Sequence, residues 1–332
     1  MHGEFMSNVA INEIEPGNHL VTASRGGFVA IPVAVAFGLP NLHCDFYIQP
    51  MGASRKVLYR SADTDVPIGG EEKYDQRHFR HVYIRSEDRQ LVDQALREAL
   101  ATAPESPAMH VAFTLEQHRE TFQLAFKGLK VAPVVAAAEN IATDLLQIMR
   151  RDDFSIGKVV SLLDHDQCTF QHSCNVSIYS AALARHYGLS DEDVALLTTG
   201  GLLHDIGKRQ IPGFLLRKLG RLDNRERELI RKHPAIGFRE LTTLNRLNWA
   251  QLMMTYQHHE WINGTGYPVG IMGDEIHLWA RICAIADVFD ALTANRPYRE
   301  TDCVEDAMGV MSKDVGHFDS VLFRIWQELV RI

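Results

Sequence analysis

The sequence predicts a small α+β portion at the N-terminus followed by a larger all-α helical bundle. Three observations lead there. From Asn8 to Ala103, short β-leaning runs alternate with turn residues and end in one run of helical periodicity. Ala103-Pro104-Glu105-Ser106-Pro107 breaks that pattern as a linker would. From Thr114 onward, apolar residues recur at helical spacing almost to the C-terminus. The division expected is a regulatory or packing domain over 1–110, a helical connector over 111–155 and the main helical domain over 156–332.

Met1 to Phe5 reads as an expression scar and Met6 as a natural start. Asp45 to Ile48, Lys56 to Tyr59 and His81 to Ile84 are the strand candidates, with a Pro- and Gly-containing loop at Asp65 to Glu72. Asp88 to Ala101 spaces Leu91, Val92, Ala95, Leu96 and Ala99 as one helix face. Glu116 to Met149 is a long amphipathic run that Gly128 and Pro133 should break, and it suits pairing with a second copy. Helices follow at Ser155 to Leu163, Thr169 to Tyr187, Asp191 to His204, Asn224 to Leu244, Trp249 to His259, Leu278 to Thr293 and Asp302 to Ile332. Acidic residues at 191–193 and Asp223 supply starts, and Gly188 a stop.

Composition narrows the function. With 34 basic against 42 acidic residues, net −8, the chain has no general attraction for nucleic acid or anionic lipid. A polyanionic substrate would need a local cluster of cations or metals. Five scattered cysteines without a Cys-x-x-Cys pair fit a reduced, cytoplasmic protein. The longest apolar run, Phe28 to Leu39, is broken by Pro32 and Gly38 and falls short of the ~20 residues of a membrane span.

The chemistry gathers in the C-terminal part. His204-Asp205 closes the apolar run Val194 to Leu203, and the adjacent nitrogen and carboxylate donors suit iron, manganese or zinc better than calcium. His172 lies on a helix upstream; His233, the pair His258-His259 and Asp287 lie downstream. Each has a plain reading: a single histidine beside an apolar face is usually a satisfied core or surface group, and Asp287 is a surface charge with Asp290 as its helical neighbour. Together they place ionisable groups on several apolar segments, where isolated charges are costly and shared metals relieve the cost. Neighbouring side chains on a helix diverge by about 100°, so His258 and His259 must bracket the cluster or sit where the helix unwinds.

These residues, with His204-Asp205-Ile206-Gly207-Lys208, His233-Pro234, Asn263-Gly264-Thr265-Gly266-Tyr267-Pro268, the run Asp287 to Thr293 and Arg296-Pro297-Tyr298-Arg299, resemble the metal-dependent HD phosphohydrolases and, within them, the HD-GYP branch of bacterial cyclic di-GMP phosphodiesterases. The likeness runs from Val159 to Phe323, so the domain at 156–332 is expected to be an HD-type catalytic bundle. The resemblance implies that His172, His204, Asp205 and Asp287 hold one divalent metal, iron or manganese, and that Asp205 bridges to a second held by His233, His258 and His259. It implies that Lys208, Arg296 and Arg299 contact substrate phosphates, and that Gly266 and Tyr267 belong to the loop beside the nucleotide; the plain reading of both arginines is solvated charge. Asp205 and Lys208 are then the catalytic pair, and Glu260 supports the site or contacts a partner. The implied reaction is hydrolysis of cyclic di-GMP to linear pGpG and onward to GMP by a metal-activated hydroxide. Alternatives are a weakly catalytic nucleotide-binding module with a protein partner at the Gly-Tyr-Pro loop, and a hydrolase of a hybrid cyclic dinucleotide. One residue departs: members with a third metal carry glutamate where this chain has Cys168, a poor ligand as a neutral thiol, so two metals are expected.

Overall fold

The computed structural model describes residues 27–39, 42–49, 55–62, 81–102, 104–163, 169–218, 220–293, 304–314 and 316–330. Its N-terminal part is an antiparallel sheet of β1 (Phe28–Pro32), β2 (Phe46–Ile48), β3 (Val57–Arg60) and β4 (His81–Arg85), in the order β1-β4-β2-β3. Strand β4 alternates, sending Val82 and Ile84 inward, as the two-residue period of a half-buried strand requires. Helices α1 (Val33–Gly38) and α2 (Arg89–Ala101) complete this layer, whose core joins Ile31, Phe46, Ile84, Val92 and Leu96. Strand β1 was not among the expected strands. It shares an unbroken apolar run with α1, and periodicity cannot divide such a run; Pro32 marks the change.

The described part of the stretch read as a linker, residues 104–107, leads into α3 (Pro107–Lys127) and ends on its first residue. Pro107 occupies the first helical turn, where its missing N–H costs nothing, and the Ser106 hydroxyl accepts from Met109 N. Helix α3 therefore begins well before Glu116. Its Ala112 and Phe113 close the sheet core, and Val111, Leu115 and Phe122 enter the second, larger core. The break at Gly128 occurs as expected, and α4 (Ala132–Met149) returns beside α3.

The remaining helices are α5 (Ile156–Leu162), α6 (Thr169–Tyr187), α7 (Asp191–Leu203), α8 (Gly213–Leu216), α9 (Asn224–Ile230), α10 (His233–Thr242), α11 (Trp249–Gln257), α12 (Leu278–Thr293), α13 (Val304–Met311) and α14 (Ser320–Leu329). Two expected helices are each two. The run from Asn224 splits because Pro234 fits only an opening turn, so His233 starts a new helix. The C-terminal run splits before Gly316, at positive φ, and Asp319 caps α14. Helix α6 is central and packs on α7, α12 and α14. Tyr179, Phe289 and Trp326 interlock there at ring separations of 5.0–5.6 Å, and truncating any one to alanine would cost about 3–5 kcal/mol. That packing brings the first turn of α6, the end of α7 and the middle of α12 together.

Candidate metal centre

Each side chain of the cluster comes from a helix end or a buried helix face. His172 lies in the first turn of α6, His204 caps α7, His233 opens α10, His258 caps α11 and Asp287 faces inward from α12. Asp205 follows His204 as the chain enters a 3-10 turn, Ile206–Gln210. Because α11 stops at Gln257, His258 and His259 lie where the helix unwinds, with rings 4.1 Å apart.

Asp205 is the junction. Its Oδ1 lies 3.0 Å from His233 Nε2 and 3.9 Å from His258 Nε2, and its Oδ2 lies 3.5 Å from His172 Nε2 and 3.4 Å from His204 Nε2. Asp287 reaches His172 Nε2 at 3.1 Å through Oδ1 and His259 Nδ1 at 3.6 Å through Oδ2. Two donor groups result, one of Asp205, His233, His258 and His259 and one of His172, His204 and Asp287, with the atoms of each within 4.8 Å of one another. The Lys208 ammonium donates to Asp205 Oδ2.

The rings are set from behind. Nδ1 of His204, His233 and His258 contacts the carbonyls of Gly201, Ile230 and Thr255 at 2.7, 2.8 and 3.0 Å. A carbonyl only accepts, so Nδ1 carries the proton and the lone pair is left on Nε2, facing inward. His233 Nε2 and His258 Nε2 are then two acceptors 3.3 Å apart, and His204 Nε2 and Asp205 Oδ1 are buried without hydrogen-bond partners. A cation among these atoms would satisfy all of them, so the donor set fits divalent metal.

The electrostatics agree. Burial, reinforced by the neighbouring imidazoles, holds His258 well below the usual histidine range, and burial with His233 brings His259 down to about 3 against the pull of Asp287. Both are neutral ligands at neutral pH. Burial opposes ionisation of Asp205 and Asp287, yet the Lys208 ammonium beside the first and the His172 imidazole beside the second keep both carboxylates well below their ordinary values. Burial also opposes charge on His172, but Asp205, Asp287 and Asp290 outweigh it and raise that imidazole.

The glycine-rich loop is built onto the ligand pair. Tyr267 stacks on His259 at 4.6 Å, and the Arg231 guanidinium lies 5.0 Å from the Tyr267 ring. A Cβ on Gly266 would come within 2.5 Å of backbone atoms of His259, Glu260 and Trp261, so that glycine is there for close approach of chain to chain. Glu260 is buried; its carboxylate accepts from Val269 N at 2.7 Å and Gly270 N at 3.0 Å, which makes it a brace for the loop and leaves it off the surface.

Asp290 is the residue to which sequence reasoning gave no role of its own. Named there only as the helical neighbour of Asp287, it is buried, with Oδ2 2.7 Å from His172 Nδ1 and Oδ1 accepting from Asn175 Nδ2 at 2.7 Å. Its position three residues after Asp287, on one helix face, was the available signal. Arg296, Arg299 and Cys168 lie outside the described residues.

An HD domain family model matches residues 160–322. The chain is 33% identical to a cyclic di-GMP phosphodiesterase of Pseudomonas aeruginosa over 69% of its own length and 56% of that protein's. It is 32% identical to 3'3'-cGAMP-specific phosphodiesterase 3 of Vibrio cholerae over 68% of its length and 49% of that protein's. The chain thus spans about half the length of these curated relatives. A solved HDG"Y"P protein from Bdellovibrio bacteriovorus superposes with a TM-score of 0.64 at 20% identity, covering 92% of this chain and 98% of that one, and so shares its fold.

Proposed function

We propose that the protein, whose residues 160–322 match the HD domain family model, is a metal-dependent phosphodiesterase that hydrolyses cyclic di-GMP to linear pGpG and onward to GMP. The observation that carries this reading is Asp205, whose two oxygens face two separate histidine-rich donor groups. His172, His204 and Asp287 would hold one divalent ion, His233, His258 and His259 a second, and Asp205 both. Mixed imidazole and carboxylate donors suit iron or manganese. When bound, such a pair supplies a nucleophile at neutral pH and a clamp for phosphoryl oxygens.

The chain's own groups supply the rest. Asp205 and Asp287 raise the pKa of Lys208 against its burial, so its ammonium stays charged and can stabilise a phosphoryl group beside Asp205. Tyr267 and Arg231 form a ring and cation beside His259, suited to a base and a phosphate. Arg296 and Arg299 are assigned to the phosphates on the motif alone. Residues 1–110 would act as the regulatory part, 111–155 as connector and 156–332 as the catalytic part. Val269 and Met272, exposed beside the loop, suit a protein partner. Buried free thiols at Cys44, Cys174 and Cys283 fit a reducing cytoplasm, and among the described residues no helix is long and apolar enough to cross a membrane.

A second substrate, the hybrid 3'3'-cGAMP, is favoured by the likeness to a phosphodiesterase named for it. Full-length protein loaded anaerobically with ferrous or manganous ion, incubated separately with cyclic di-GMP and 3'3'-cGAMP, tests both. Cleavage of cyclic di-GMP with the higher kcat/KM supports the first reading, and preference for the hybrid replaces it. Binding of both nucleotides without product makes the protein a sensing module.

A further inference from the structure

A line of buried and part-buried side-chain hydrogen bonds runs from the sheet portion to His172 and begins outside the segment matched by the HD family. Arg89, the first residue of α2, donates through Nη1 to Glu116 Oε1 at 2.9 Å. Glu116 lies on α3 with 0% exposure and takes a second guanidinium on Oε2, from Arg119 Nε at 2.7 Å. Arg119 Nη2 donates to Gln171 Oε1 at 3.1 Å, and Gln171 Nε2 donates to Asn175 Oδ1 at 2.8 Å. Asn175 Nδ2 donates to Asp290 Oδ1, whose other oxygen meets His172 Nδ1, both at 2.7 Å.

Two features argue against simple packing. Both amides of the line accept on one side and donate on the other, so turning either one breaks two links. A fully buried carboxylate between guanidinium groups is also a poor route to stability, since apolar groups of similar volume often serve as well or better; what such a cluster adds is a fixed geometry. Helix α3 is tied to the site's other flank too, because Arg209, next to Lys208, donates through Nε to Phe126 O at 2.9 Å and also to Gly128 O.

We infer that Glu116 and Arg119 are positioning residues for the metal centre: through Gln171, Asn175 and Asp290 they fix the His172 imidazole, and Arg89 ties that setting to the sheet portion. The inference rests on the metal-binding reading above. It makes α3 the element through which a change in the N-terminal part reaches the ligands.

Arg119→Met removes the links to both Glu116 and Gln171 with little change of volume. Gln171→Glu keeps an acceptor for Arg119 and removes the donor to Asn175. Free Mn²⁺ measured by electron paramagnetic resonance, during titration of EDTA-stripped full-length protein, gives site number and affinity, and thermal unfolding is followed in parallel. Each variant should weaken one class of Mn²⁺ site by about tenfold or more, the scale on which supports of a ligand act. The double variant should be no weaker than the weaker single variant, because both cut one line. Arg89→Met should shift the same class by a smaller factor, and it carries the test with Gln171→Glu should Arg119→Met fail to fold. Wild-type Mn²⁺ affinity in the folded variants, whatever their melting temperatures, overturns the inference while leaving the metal centre standing. Absence of Mn²⁺ binding in the wild-type protein overturns both.

Discussion

Gly207 holds the 3-10 turn after Asp205 against the start of α10, and replacing it with alanine is the sharpest test of the site's architecture. A Cβ there would lie 2.0 Å from His233 O and 2.6 Å from Gly237 N. The first distance is about 1.4 Å short of ordinary van der Waals contact, which begins at 3.4 Å. Both neighbours are backbone atoms, so no side-chain rotation relieves the clash, and the turn and helix must separate. That separation takes His233 Nε2 from its place 3.0 Å from Asp205 Oδ1. Overpacking of this kind costs about 1–3 kcal/mol of stability. A misplacement near 1 Å costs on the order of 10²-fold in rate. The variant should fold with a lowered melting temperature, retain less metal and hydrolyse cyclic dinucleotide about a hundredfold more slowly. Gly309→Ala is the matched control, because its Cβ would meet nothing within 4 Å and alanine favours the helix. Wild-type metal content and rate in Gly207→Ala would refute the reasoning.

Other outcomes follow from the same geometry. Asp205→Ala should lose metal from both donor groups together with all activity, whereas Lys208→Ala should keep its metal and lose mainly turnover; elemental analysis showing full occupancy in the Asp205 variant contradicts the junction role. Asp290→Ala should weaken metal binding about 10–100-fold by releasing the His172 ring, and unchanged affinity on titration would count against it. Glu260→Ala leaves the Val269 and Gly270 amides without their acceptor, a loss of about 1–3 kcal/mol that should appear as faster amide exchange around residues 260–273. In metal-free protein, His258 and His259 stay neutral in the fold but protonate in the unfolded chain near pH 6.5, about the ordinary imidazole value. Their contribution to stability is present above that pH and is lost as pH falls toward 3; the raised His172 contributes fully below it and offsets nothing further. The melting temperature should therefore fall between pH 6.5 and pH 5, and a rise would reject the assigned protonation states.

The sequence by itself determined the helix-rich C-terminal part and the types of ligand. Helices α6, α7 and α12 lie where apolar spacing and caps put them, because periodicity and capping are properties of neighbouring residues. His172, His204, Asp205, His233, His258, His259 and Asp287 were all legible as candidates, since ionisable groups on apolar segments stand out against the cost of burying them. Local signals failed where a contact was distant or a run was uniform. The apolar run at Phe28 hid the boundary between β1 and α1, and Glu116 stood only as the start of an amphipathic run although it is buried between two arginines. Only the tertiary structure decided which oxygen of Asp205 meets which histidines, which ring nitrogen each imidazole turns inward, and that Asp290 holds His172. Those choices are made by the angles at which α6, α7, α10, α11 and α12 pack. His172 and Asp290 are 118 residues apart, and no local pattern along the chain encodes the 2.7 Å between them.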